Sequence, residues 1–296
     1  MAEAFPVRAP TRVAAEAPRR RIFRKLIRDR AGLLGVSVLM AIVAAVVLAP
    51  LIGIPDPLDQ DLSAALRGPG TPGHPLGTDQ FGRDLLSRLL WGGRISLAIA
   101  VVASAVALGI GVPLGMISGY VRGPLDSLIM RSTDLMLAFP YILLALVIVA
   151  VRGPGLGNAL IAVAITNVPF FVRVTRGIVL TIAHQPFVEA EVALGANTGR
   201  ILRKAILPAM VPYITVAFTV SVGWLMLEAS ALSFLGLGAQ PPLPEWGAML
   251  AEARTYILIA PHLVLIPGLA IFLVVISLNL SGDSLRDALD VEITGQ

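Results

Sequence analysis

The sequence predicts an all-α integral membrane protein with six transmembrane helices. Three observations predict it. First, 56% of the 296 residues are hydrophobic and only 14% are charged, whereas soluble domains run near a quarter charged. Second, the chain holds six uncharged apolar windows near the ~20 residues that a spanning helix needs. Third, its basic residues gather on alternate connections between those windows.

The first window is Ala31 to Ile52. It follows a 30-residue polar tail and is too long for the apolar part of a cleavable leader, so it is expected to stay as a span. The second lies within Ile95 to Val121, the third is Leu135 to Val151, and the fourth about Asn158 to Val172. The fifth lies between Lys204 and Glu228, and the sixth between about Leu263 and Ser281. A further uncharged run, Ala229 to Pro244, carries Gly236, Gly238, Pro241, Pro242 and Pro244. That density of helix breakers predicts a loop or re-entrant segment.

Six spans place both termini on one side. With that side inside, the inner segments hold 17 of the 23 Lys and Arg and the outer segments hold 6. The asymmetry predicts cytoplasmic termini. Nine basic residues precede position 31, and Ile22, Phe23, Leu26 and Ile27 share a helical face within "RRRIFRKLIRDR". This segment is expected to lie at the inner interface against anionic lipid rather than on nucleic acid.

The stretch "FVEAEVALGANTGRILRKAILP", Phe187 to Pro208, interrupts the apolar pattern. Its five charges at ~3 kcal/mol each oppose insertion by roughly 15 kcal/mol, and its large apolar residues return only about 4. It must lie outside the hydrocarbon. Pro186 suits a first helical turn, Gly195 can end that helix in the left-handed conformation, and Asn197 or Thr198 can cap a second helix that Pro208 stops. Such a helix–turn–helix is either an ordinary amphipathic loop or a docking element.

Several chemistries are excluded. There are no cysteines, which removes disulfides, thiolate catalysis and cysteine-held metals. The only lysines are Lys25 and Lys204, and neither follows a glycine run, so a nucleotide-binding P-loop is absent. Zinc-protease and serine-hydrolase signatures are also missing. The histidines His74, His184 and His262 are far apart in sequence. Asp134 and Glu228 are read at span ends, which leaves no carboxylate at mid-membrane for ion coupling. Asn167, Ser221 and Asn279 are polar candidates for a substrate path, each with an alternative reading as a helix–helix hydrogen bond. Ala103, Ala107, Gly111, Gly115 and Gly119 recur every four residues. Such a face serves packing within the chain or between subunits, and packing within the chain is the reading adopted.

Phe187–Pro208 resembles the "EAA" loop of type I ABC importer permeases, through Glu189-Ala190, Gly195 and Ile206-Leu207-Pro208. "HPLGTDQFGRDLLSRLLWGGRISL" (His74 to Leu97), "LSFLGLGAQPPLPEWGAML" (Leu232 to Leu250) and "NLSGDSLRDALD" (Asn279 to Asp290) resemble further segments of the same family. Together they point to the "C" permease of the dipeptide/oligopeptide/nickel subgroup, over nearly the whole chain after about residue 20. Three positions depart from the pattern: Glu191 replaces a usual second alanine, Ala209 a common asparagine, and Val291 a usual proline.

The resemblance implies a type I importer architecture in the bacterial inner membrane. It implies a non-catalytic subunit without cofactor of its own, ATP–Mg being bound by two separate ATP-binding cassette subunits. A homologous permease would complete the path, and an extracytoplasmic solute-binding protein would deliver the cargo. Glu189, Ala190, Gly195, Ile206, Leu207 and Pro208 would form the ATPase-coupling element. Peptides are the expected cargo, with nickel, glutathione or a sugar left open. The implied organisation is a basic tail with interfacial helix (1–30), a first helix and outer loop (31–93), a five-helix transport domain (94–283) with its coupling loop at 186–208, and a tail (284–296). Against it stand two other classes, an ion-coupled carrier acting alone and a membrane scaffold without substrate.

Overall fold

The computed structural model describes residues 29–51 and 53–290. The interfacial helix expected over Arg19–Arg30 lies, but for its last two residues, outside the described residues. So does the end of the tail after Asp290.

Among the described residues ten α-helices follow in order: α1 Arg30–Leu48, α2 Leu85–Val121, α3 Gly123–Leu137, α4 Tyr141–Arg152, α5 Leu156–Ile182, α6 Pro186–Ala193, α7 Thr198–Ile201, α8 Leu207–Phe234, α9 Trp246–Ala253 and α10 His262–Asp290. No strand is formed among the described residues beyond two isolated bridges in the loop before α2. Five helical segments are long and apolar enough to cross a membrane, and α3 with α4 makes a sixth if the pair is counted as one span.

The centre of the bundle is the α2–α5 contact. Ala103, Ala107, Gly111, Gly115 and Gly119 are all buried along α2. A Cβ on Gly111 would stand 2.5 Å from Phe171 Cβ, and one on Gly115 would stand 2.6 Å from Thr175 Cβ and from the Val172 carbonyl. The small-residue stripe therefore lets two backbones of the same chain approach. At its edge Asp29 caps α1 through the Ala31 and Gly32 amides, and α1 lies against α10, where Gly35 faces the Ser277 carbonyl. Val46 is also buried, while Leu33, Leu34, Val36 and Met40 on the other side of α1 are exposed, as on a lipid-facing surface.

Two expectations are corrected. The third span is not one straight helix from Leu135 to Val151: α3 and α4 meet at 89° across residues 138–140. Pro140 lacks an N–H and disfavours helix at Phe139, so the ladder breaks there. α3 is tied to α5 by charge: Arg176 donates to both oxygens of Asp126 at 2.8 Å, and Arg173 to Asp134 at 2.6 Å. Nor does Pro208 stop a helix. Helix continues from Thr198 to Phe234 through a π-helical turn at Leu202–Ile206. The wider turn, in which Leu207 N–H reaches the Leu202 carbonyl, accommodates the proline that a regular α-helix would exclude.

Opposite the elbow formed by α6 and α7, the other end of the bundle carries a tightly knit cap. Asp84 caps α2 through the Ser87 amide, and Glu245 caps α9 through Gly247 and Ala248. Trp246 Nε1 donates to the Leu89 carbonyl at 2.8 Å, and Ser96 Oγ to Glu245 at 3.0 Å. Beneath them Arg83 and Arg88 share Asp79 and Glu252, with Arg83–Glu252 at 2.7 Å and Arg88–Glu252 at 3.1 Å. Hydrogen bonds from Ser63, its side chain first, hold the nearby Asp61 carboxyl below its ordinary value. Contrary to expectation, the uncharged run Ala229–Pro244 is not loop throughout: its first six residues complete α8, and only the remainder, which holds the breakers, turns back toward α9.

Candidate functional site

The elbow between α5 and α8 is built from local signals. Pro186 opens α6 at a position where its missing N–H is harmless, and Glu189 sits in the first turn near the positive end of the helix. The helix ends in a Schellman arrangement: Ala196 N–H donates to the Glu191 carbonyl at 3.0 Å and Gly195 N–H to the Val192 carbonyl at 2.9 Å. Gly195 has φ +75°, and a Cβ there would meet nothing within 4 Å. Its requirement for glycine is therefore one of backbone conformation alone. Asn197 then caps α7 by accepting from the Arg200 amide at 2.9 Å.

The elbow is pinned to the bundle from beneath. Val188, Ile201, Ile206 and Met210 are buried in one cluster with Phe171, Val179 and Ile182 of α5. Of the residues expected to couple, Glu189, Ala190, Gly195, Leu207 and Pro208 are exposed, but Ile206 is wholly buried. Ile206 holds the elbow and presents no surface. The apolar tip was missed in the sequence: Leu194 is 84% exposed, and Phe187 and Val192 of the same elbow are exposed too. Large apolar residues following a charged helical turn were the available signal. The same elbow carries exposed Glu189, Arg203 and Lys204, with Arg200 paired to Glu191 at 3.3 Å. The elbow thus exposes apolar and charged side chains together, outside the packed core.

The three polar path candidates separate. Asn167 Nδ2 donates to Ser221 Oγ at 2.6 Å, and Ser104 donates to the same oxygen at 2.9 Å. All three are buried, so Asn167 and Ser221 form a hydrogen-bonded junction of α5, α8 and α2. Asn279 is exposed on α10 next to Gly223 of α8. Glu228, read as a span end, instead lies within α8 and is 6% exposed. Its Oε1 accepts from Trp224 Nε1. Among the described residues no group of three or more His, Cys, Asp or Glu could hold a metal ion.

Residues 111–294 match the family described as binding-protein-dependent transport system inner membrane component, and residues 17–69 match the N-terminal transmembrane domain of oligopeptide transport permease C. The chain is 45% identical over 276 residues to the dipeptide transport system permease protein DppC of Alkalihalophilus pseudofirmus, covering 93% of this chain and 90% of that one. It is 49% identical over 220 residues to the glutathione transport system permease protein GsiD of Pectobacterium atrosepticum, covering 74% and 73%. Its fold matches a chain of the MetNI methionine ABC transporter solved in inward-facing conformations, with TM-score 0.57 and 21% identity, covering 68% of this chain and 95% of that one. Family, relatives and fold agree: the chain belongs to the binding-protein-dependent transport system inner membrane components, as a multi-pass permease subunit of an ATP-driven importer.

Proposed function

We propose that this permease forms half of a translocation path for di- and oligopeptides and catalyses no reaction itself. Both termini and the elbow at 186–208 face the cytoplasm, where the elbow seats in one of two ATP-binding cassette subunits. Leu194, Phe187 and Val192 fill its groove, while Glu189 and the basic residues meet its rim. Ala190 keeps the exposed helix slim, Gly195 sets the turn, and Leu207 and Pro208 join the turn to α8. Ile206 transmits the load into the core. A homologous permease supplies the second half of the path, and a solute-binding protein docks on the cap at the opposite end. Asn279 is retained as a path residue; Asn167 and Ser221 serve the path only by fixing the helices around it.

The observation that supports this reading most is the pinned apolar knob, 84% exposed at Leu194, at the end of a rigid helical lever. Rocking one bundle against another is the motion such a lever drives. The cargo assignment draws on the relatives named for dipeptide and glutathione transport. The test is uptake of labelled Ala-Ala into proteoliposomes holding the complete transporter. ATP-dependent uptake blocked by excess dipeptide supports the reading; no Ala-Ala uptake beside ATP-dependent uptake of labelled glutathione replaces the cargo. Uptake by the isolated chain without ATPase subunits would restore the ion-coupled alternative.

A further inference from the structure

Glu228 has no part in the coupling scheme. It is 94% buried by the complement of its 6% exposure, and its Oε2 has no hydrogen-bond partner among the described residues. Its other oxygen is held by Trp224, whose ring is half exposed and packs edge-on against Tyr141 at 5.6 Å and 63°. Tyr141 opens α4, a helix of 12 residues that ends at Arg152. At ~1.5 Å per residue the two ends lie about 17 Å apart. With Arg152 at a membrane surface, Tyr141 sits near the middle of a hydrocarbon layer about 30 Å thick. Contact with Tyr141 fixes Trp224 at the same depth, with Glu228 one turn further along α8.

The neighbouring chain is irregular at that depth. Residues 138–140 are non-helical and exposed. Lipid tolerates neither open backbone nor an unpaired carboxylate; both occur where protein or a water-lined cavity covers them. In the proposed assembly a homologous permease covers this face, and the path runs between the two. A carboxylate with a free oxygen beside two accessible aromatic rings is the chemistry that binds an organic ammonium ion.

We propose that Glu228, Trp224 and Tyr141 recognise the primary ammonium group of the cargo at mid-membrane. The inference rests on the peptide-import reading and names the group through which the path would hold a peptide. It is tested on the complete transporter in nanodiscs without the solute-binding protein, whose own preference then does not enter. The chain has three tryptophans, so the fluorescence difference between wild type and Trp224→Phe isolates Trp224. Titration with Ala-Ala should give a saturable response, and N-acetyl-Ala-Ala should need at least ~10-fold more peptide, as one lost charge-assisted contact implies. Glu228→Gln should show the same loss for Ala-Ala, and Glu228→Asp should retain part of the response. The acetylated peptide tests the site in the wild-type protein, whatever the variants do to folding. No response, or equal responses to both peptides, would overturn the site even where Ala-Ala uptake is robust. An amine-dependent response without Ala-Ala uptake would support the site and overturn the peptide cargo instead.

Discussion

Gly195 offers the sharpest perturbation, because its environment separates backbone from packing. With φ +75° and nothing within 4 Å of a Cβ, a substituted side chain meets no obstacle; only the left-handed backbone resists it. That conformation costs an alanine roughly 1–2 kcal/mol and a β-branched residue more, while asparagine tolerates it. One to two kcal/mol is a factor of about 5–30 in the ratio of capped to uncapped elbow, and the same factor is the ceiling on lost affinity. Affinity of the nanodisc-held permease for its ATPase subunit should therefore fall in the order Gly, Asn, Ala, Val. Gly195→Asn should remain within about 3-fold of wild type and Gly195→Ala should lose more than that, up to about 5–30-fold. All variants should insert equally, since the site is exposed and lies outside the spans. Equal affinity for the Asn and Val variants would refute the reasoning, because size and polarity would then outrank backbone conformation.

Other perturbations follow from the packing. Gly115→Val should destabilise the bundle by about 1–3 kcal/mol or prevent assembly, read as a lowered melting temperature in detergent, because even a Cβ there meets Thr175 and Val172 at 2.6 Å. Glu252→Ala strips Arg83 and Arg88 of a shared partner while their side chains are only 3% and 1% exposed; the loss should be about 3–5 kcal/mol, with Glu252→Gln milder in the same melt. Ser221→Ala leaves the Asn167 amide without its 2.6 Å acceptor and should lower stability by about 1–3 kcal/mol. If transport falls without loss of stability, Asn167 and Ser221 contact cargo after all.

What the sequence revealed was local. The spans showed as uncharged runs, and the elbow showed because five charges cannot sit in hydrocarbon. Gly195 and Asn197 announced the turn, since a left-handed stop and a helix cap depend on single residues. What stayed hidden was either cooperative or distant. Pro208 reads as a stop until the π-helical turn before it is seen. Pro140 was a visible breaker, but its 89° consequence depends on α3 being held by Asp126 and Asp134 to α5. Glu228 bounds an uncharged run and so passed for a span end, although α8 continues to Phe234. Its burial inside α8 removes one argument against an ion-coupled carrier, the absence of a carboxylate within the spans; the case against that class now stands on family membership. Arg88 and Glu252 are 164 residues apart, a pairing that no local pattern encodes.

The central claim is that the elbow is the grip through which an ATPase subunit works this permease. A photo-crosslinking residue in place of Leu194, 84% exposed at the tip, tests it most directly in the assembled transporter. The account predicts a single adduct with the mass of permease plus ATPase subunit, formed on illumination and lost when the ATPase is omitted. Labelling of the same position by a membrane-impermeant reagent from the outer compartment, with no such adduct, would contradict it.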